Sequence, residues 1–339
     1  MSLSPDGITA PASGGRIAVS WRDPASIVLC ARLARAMLAA KPSRPLARLR
    51  RKTMRELFHF LHQQVGLPAP AVLRLGNGTI IEVGCANTAF LAYANAVHQG
   101  DGVEPEVSAL LIAAAPQLEA VYDIGANWGY YPLLLGGEPR FRGVVHAFEM
   151  APRTVADLRH VIAAAGLSSC VIVHGFGLSD REGEALATRE RHSYLARVVG
   201  GEYRGAVDRV RVRRLDDLDL PPPSLVKIDV EGHEMAVLAG GKRTFARHQP
   251  LVVIESRYEP MHAGAMLAPL RLLTEMGYRL YRLAWRQSAA DGLAAGSHQG
   301  ELCLAPLAVA DRVAIAEPLN LFAVPPHRAA DIAALMRAF

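Results

Sequence analysis

One run of residues constrains the fold more than any other feature of the chain. Val121-Tyr122-Asp123-Ile124-Gly125-Ala126-Asn127-Trp128-Gly129 carries a short apolar strand straight into a glycine-bearing turn, and a helix is expected to begin over Asn127 to Leu135. Strand, tight turn and helix in that order open an α/β sheet of the kind that binds ligands beyond the carboxyl ends of its strands, where the strand order reverses. Gly125 and Gly129 let backbone approach a ligand with no side chain between them. The first amides of the helix favour a carboxylate or phosphate. Pro132 falls in the first helical turn, where an amide has no helical partner.

The rest of the chain continues this pattern. Apolar runs predict strands at Val144 to Glu149, Cys170 to Val173, Leu225 to Val230 and Leu251 to Glu255. Helices are expected over Arg153 to Ala165, stopped by Gly166, and over Ala268 to Met276, stopped by Gly277. Three further strands, Tyr278 to Ala284, Glu301 to Leu304 and Leu319 to Val324, follow one another late in the chain. The expectation is a doubly wound α/β sheet, mostly parallel, with an antiparallel edge strand. Residues 181–214 interrupt the order, and Val207, Val210 and Val212 predict an inserted strand or hairpin there. Upstream, Glu106 to Ala115 reads as a helix, and Leu73 to Val83 as a hairpin turning at Gly76-Asn77-Gly78. Residues 24–65 read as helical with a break at Lys41 to Pro45, and 1–23 as a loose lead-in. The expected division is an N-terminal extension over 1–65, a hairpin and helix over 66–115, and the α/β unit over 116–339.

Charge sharpens this division. Residues 1–55 hold eleven Lys and Arg against two Asp, a net of +9, while the remainder holds 26 basic against 30 acidic residues, a net of −4. The basic extension could touch an anionic membrane surface or another subunit, and without interleaved aromatics it gives no nucleic-acid signal. No apolar run reaches the ~20 residues that span a bilayer; Ile27 to Ala40 is broken by Arg32 and Arg35. Cys30, Cys85, Cys170 and Cys303 lie far apart, as expected of reduced thiols in a cytoplasmic protein.

The residues around the turn select a ligand. A dinucleotide site asks for GxGxxG, and here Asn127 stands at the second glycine position. Asp123 at the strand end suits a cationic group such as the amine of S-adenosylmethionine, and Glu149 at the end of the next strand suits ribose hydroxyls. Beyond the third strand, Phe176 or Leu178 could stack on a base. The expected cofactor set is Asp123, Gly125, Asn127, Gly129, Tyr130, Glu149, Met150, Gly177, Leu178 and Asp229, with S-adenosylhomocysteine as product and no metal. Two other classes stay in view: an NAD-dependent oxidoreductase on a similar sheet, and a non-catalytic nucleoside-binding scaffold.

Several separate motifs in one order give the chain its resemblance. Glu104-Pro105-Glu106, the run from Asp123 to Tyr131, Ala147-Phe148-Glu149, Leu178-Ser179-Asp180, Leu215-Asp216-Asp217-Leu218, Val226 to Glu234, Val237-Leu238-Ala239-Gly240 and the strand ending in Glu255 resemble the FkbM-like methyltransferases. These are a branch of the class I S-adenosylmethionine-dependent enzymes, and the likeness covers roughly residues 100–325. Pro132 stands where that family usually has Thr, and Met150 where it usually has Pro. The resemblance implies a Rossmann-like fold and methyl transfer to an oxygen, often a hydroxyl of a sugar, glycan or secondary metabolite.

Methyl transfer needs an aligned acceptor and a place for its proton. Lys227-Ile228-Asp229-Val230-Glu231-Gly232-His233-Glu234 ends the fourth strand, close to where the methyl group should lie. Asp229, Glu231 and His233 are the expected catalytic residues, with His233 as base because its ordinary pKa is near ~6.5. Lys227 is expected to pair with a neighbouring acid, and His146 to be a core histidine. Arg189, Arg191, His192, Tyr194 and Arg197 could form a lid from the interrupting segment.

Overall fold

The computed structural model describes residues 18–21, 71–83, 104–189, 197–199, 203–286, 293–294, 301–315 and 317–328. The helical reading of 24–65, and Arg191, His192 and Tyr194 of the expected lid, lie outside the described residues. Strands are numbered in chain order: β1 Ala18–Trp21, β2 Ala71–Arg74, β3 Ile80–Val83, β4 Ala120–Ile124, β5 Val144–Phe148, β6 Val171–His174, β7 Gly177–Leu178 and β8 Gly183–Thr188. They continue as β9 Val198–Val199, β10 Val207–Arg213, β11 Leu225–Ile228, β12 Leu251–Ser256, β13 Arg279–Arg286, β14 Leu293–Ala294, β15 Glu301–Pro306 and β16 Leu319–Val324.

The main sheet has the order β14-β13-β16-β12-β11-β4-β5-β6, with β15 paired to β13. Strands β6, β5, β4, β11 and β12 are parallel neighbours. Antiparallel strands gather at the other end of the sheet, as expected, but β16 is not the outermost. It inserts between β12 and β13, antiparallel to both. The chain runs outward from β4 to β6, then returns to place β11 on the other side of β4. The strand order therefore reverses between β4 and β11, where such sheets bind ligands.

Side-chain alternation splits the sheet into two buried faces. Val121, Val145, Leu225, Val253 and Phe322 pack with the helices Pro105–Ala114, Tyr130–Gly136 and Pro152–Ala164. Tyr122, Ile124, Phe148, Val226, Ile228, Val252 and Leu321 pack with the helices Glu234–Gly240, Lys242–His248 and Ala263–Glu275. Period-two alternation then puts Asp123 and Lys227 on the first face, and the register pairs these two residues directly. Glu255 on β12 and its partner Asn320 on β16 share that face. The apolar rows thus end in a polar row at the carboxyl ends of adjacent strands.

The other expectations fall on two small sheets. The hairpin turns at Gly76 to Gly78 as predicted, but β1 adds a third strand antiparallel to β2, so the lead-in is not wholly loose. The interrupting segment pairs β10 with β8 antiparallel, and β9 and β7 complete a four-stranded sheet. Val210 and Val212 are buried while Arg209 and Arg211 between and before them are exposed, the pattern of a half-buried strand. No helix among the described residues is long and apolar enough to cross a membrane.

Candidate active site

The turn after β4 is built by close backbone approach. Gly125 has φ +85°, and a Cβ placed on it would lie 1.9 Å from the carbonyl oxygen of Asp229. The amide of Asp229 in turn donates to the Ile124 carbonyl at 3.0 Å. Gly125 is therefore required by the neighbouring strand end. A side chain in the left-handed region costs roughly 1–2 kcal/mol, and the main-chain clash adds to that cost. Gly125→Ala is expected to lower the unfolding free energy by more than about 2 kcal/mol, and an unshifted urea midpoint would contradict the close approach. Gly129, at φ +103°, would set a Cβ 2.4 Å from Leu158 Cδ1, so it lets the turn pack on the helix Pro152–Ala164.

Glu149 is organised by the same turn. Asn127, itself at φ 50°, donates its amide to Glu149 Oε2 at 3.0 Å, and the Ala151 amide donates to Oε1 at 2.8 Å. Burial pushes the Glu149 carboxyl up to about 7, against the pull of these backbone donors. Each oxygen keeps a further lone pair for a ligand hydroxyl. Asp123 is different. Its side chain is buried, and neither carboxylate oxygen has a hydrogen-bond partner. Lys227 Nζ lies 3.9 Å from Oδ1, close enough for Coulomb attraction and too far for a hydrogen bond. Burial raises the Asp123 carboxyl to about 6, with Lys227 opposing. A buried carboxylate with no hydrogen-bond donor at the switch point fits a ligand that brings its own donors.

Lys227 organises the floor of the site, paired to acids as the sequence predicts. Its Nζ donates to Asp229 Oδ2 at 3.0 Å and sits 4.8 Å from the centre of the Tyr131 ring. Burial pulls the ammonium down, but Asp229 and Asp123 outweigh it and hold Lys227 above its ordinary value. Tyr131 donates its hydroxyl to Glu104, and Asn320 Nδ2 donates to the other Glu104 oxygen at 2.8 Å. Glu104 stands just before the helix Pro105–Ala114 at φ 45°, and its side chain makes no cap to that helix.

Three carboxylates form the outer part of the site. Oxygens of Asp229, Glu231 and Glu255 lie within 4.8 Å of one another. That spacing would suit a divalent cation, but Arg257 already lays its guanidinium across two of the three. Its Nη1 is 2.7 Å from Glu231 Oε2, its Nη2 2.9 Å from Glu231 Oε1, and its Nε 3.2 Å from Glu255 Oε2. Burial raises Glu231 to about 7 and Glu255 to about 8.

The structure brings Asp123, Asp229 and Glu231 together with Glu149 nearby, and sets His233 apart from the carboxylates. His233 occupies the N-cap position of the helix Glu234–Gly240, but its Nε2 contacts Ser179 Oγ at 2.9 Å and makes no cap bond. Burial lowers its pKa, and the charges acting on it are Asp180 and Arg181. Tyr130 turns its hydroxyl to Ser108 Oγ at 2.8 Å, inside the first core. Leu178 is buried in the second core, Met150 packs beside Gly177, and Phe176 lies half-buried edge-on to Phe148. His146 is buried with Nδ1 3.1 Å from His174 Nε2. Arg257, Glu104 and Asn320 carry no role in the sequence reading.

Comparison with known proteins places this arrangement. The Methyltransferase FkbM domain family model matches residues 123–280, a span that opens on Asp123 and includes all three outer carboxylates and Arg257. These residues form an FkbM methyltransferase domain. The chain is 25% identical over 186 residues to the hexuronic acid methyltransferase AglP of Haloferax volcanii, covering 51% of this chain and 71% of that one. Among solved structures, a methyltransferase FkbM from Methylobacillus flagellatus is 19% identical with a TM-score of 0.38, over 60% of this chain and 43% of that one. The chain thus spans less than half the length of that relative. The O-methyltransferase of Bacillus cereus in complex with SAH is 12% identical with a TM-score of 0.39, over 70% and 88% of the two chains. The FkbM domain leaves Glu104 and β16, with Asn320, outside its matched span, although both complete the site.

Proposed function

We propose that the FkbM domain makes this protein an S-adenosylmethionine-dependent O-methyltransferase, with a hydroxyl of a saccharide, glycan or similar metabolite as acceptor. The observation that carries the reading is Asp123, a buried carboxylate with two unpartnered oxygens at the point where the strand order reverses. S-adenosylmethionine would bring an ammonium and ribose hydroxyls as donors, and a methyl group activated on a sulfonium. Asp123 would hold donor groups of the ligand, and Glu149, aimed by the Asn127 and Ala151 amides, would accept from its hydroxyls. Asp229 and Glu231 would face the acceptor from the end of β11 and the turn beyond it. The saccharide class is supported by the hexuronic acid relative and the methyltransferase class by the family match.

Calorimetric titration with S-adenosylhomocysteine and with NAD tests the donor. S-adenosylhomocysteine is expected to bind and NAD to fail, because Asn127 blocks the second glycine position of a dinucleotide turn. Binding of NAD alone would end the reading. Transfer of labelled methyl to a panel of neutral sugars, uronic acids and amino sugars tests the acceptor.

A further inference from the structure

We infer that Glu255, and not His233, takes the proton from the acceptor hydroxyl, and that Arg257 is the residue that positions it. The inference rests on the methyl-transfer reading above. It starts from how unequally the three outer carboxylates are compensated. Asp229 receives the Lys227 ammonium at 3.0 Å. Glu231 is gripped by Arg257 through both oxygens, at 2.7 and 2.9 Å. Glu255 sees the same guanidinium at 3.2 Å through Nε and 3.5 Å through Nη2. Glu255 thus shares its cation with Glu231 and is held at the longest distances of the three, and hydrogen bonding to the charged form is what lowers proton affinity.

The groups around Glu255 agree. Asp229 faces it from the end of β11, Glu231 from the following turn and Glu104 from before the first helix; each disfavours its charged form, and Arg257 alone opposes them. Burial adds the largest effect, and together they push its carboxyl up to about 8. A base is most useful when its pKa lies near the working pH. Glu255 also stands on the sheet face shared with Asp123 and Lys227, one strand from Asp229. His233 lacks these features: its Nε2 is engaged by Ser179, away from the cluster, and burial lowers its proton affinity.

The step balances without another reactant. The acceptor O–H bond would break, with its proton bonding to a Glu255 oxygen and its electron pair staying on the acceptor oxygen. That pair would form the new bond to the methyl carbon as the methyl–sulfur bond of S-adenosylmethionine breaks, the pair of that bond passing to sulfur to leave neutral S-adenosylhomocysteine. Neutral Glu255 then returns the proton to water. Arg257, bidentate to Glu231 and reaching Glu255 from the same side, fixes the angle of the base and does not touch the reacting atoms.

Two readouts test this. In protein labelled with ¹³C at the glutamate carboxyl, the signal that disappears in both Glu255→Gln and Glu255→Asp is expected to titrate near pH 8. A midpoint at the ordinary glutamate value of about 4.3 overturns the inference. In methyl transfer to an acceptor from the panel, Glu255→Gln should lower kcat by about 100-fold or more, with S-adenosylhomocysteine affinity unchanged and Glu255→Asp recovering part of the rate. Arg257→Lys should shift the acidic limb of the pH–rate profile, where the base becomes protonated, rather than the donor affinity. Full turnover in Glu255→Gln, or a loss confined to donor affinity, overturns the assignment. If the panel yields no acceptor, the substrate class of the proposed function falls, while a carboxyl midpoint near the ordinary glutamate value still overturns Glu255 as the base.

Discussion

Asp123→Asn is expected to weaken S-adenosylhomocysteine binding by about 100-fold while leaving the free protein no less stable at pH 8. A hydrogen bond to a charged group is worth roughly 1.5–3 kcal/mol, and about 1.4 kcal/mol is tenfold in affinity. Both Asp123 oxygens are buried without partners, so a ligand that satisfies them gains interactions the free protein lacks. Asn keeps the shape, offers one acceptor in place of two and turns a donor group toward the ligand. The stability half follows from the raised carboxyl. Its folded value of about 6 lies above the ordinary value of 3.8. Its contribution is therefore fully present below about pH 4 and is lost as the pH rises through 6. At pH 8 the wild type buries a charge that Asn removes. Calorimetric titration and thermal melts at pH 8 check both halves, and unchanged affinity would take Asp123 out of the site.

The legible part of this site is the part written as strand ends. Asp123, Glu149 and Asp229 each close or follow an apolar run, so period-two alternation and chain order suffice to bring them to one edge. What the sequence hides is orientation. His233 follows Glu231 by two residues, yet Glu231 at φ 53° and Gly232 at φ 95° turn the chain, so that one side chain meets Arg257 and the other meets Ser179. Glu104 reaches Asn320 across 216 residues, a pairing that only the insertion of β16 beside β12 creates. Arg257 did leave a signal. It follows Glu255 by two residues at a strand end, the same spacing that draws attention to Asp229 and Glu231.

The fold divides along a similar line. Strand β16 matches its expected bounds because buried strands read as near-continuous apolar runs. The helix Ala263–Glu275 begins well before the expected Ala268, because Pro269 lies inside it and a proline normally ends a helix. Burial of Leu267, Leu270 and Leu273 on one face offsets the missing amide. Spatial order was out of reach: nothing local to Leu319–Val324 says that the last strand enters the sheet between β12 and β13.

Lys227→Met tests how far the site depends on its buried lysine and the carboxylates around it. Met fills much of the lysine stem but removes the charge that faces Asp229 at 3.0 Å and Asp123 at 3.9 Å. Breaking a buried ion pair from one side costs about 3–5 kcal/mol, because the remaining charge stays buried without compensation. The cost should depend on pH in a definite direction. Lys227 is the influence that lowers the Asp123 carboxyl, so its loss moves that carboxyl above its present value of about 6. A carboxyl raised in the folded state stabilises fully below its unfolded value and loses that contribution as the pH climbs through the folded one. The deficit read from urea unfolding should therefore be larger at pH 8 than at pH 5. Adding Asp123→Asn to Lys227→Met should recover part of it at pH 8, since one of the two stranded charges is then gone. An equal deficit at both pH values would mean that Lys227 serves by packing against Tyr131 alone, and the electrostatic account of the site floor would have to be abandoned.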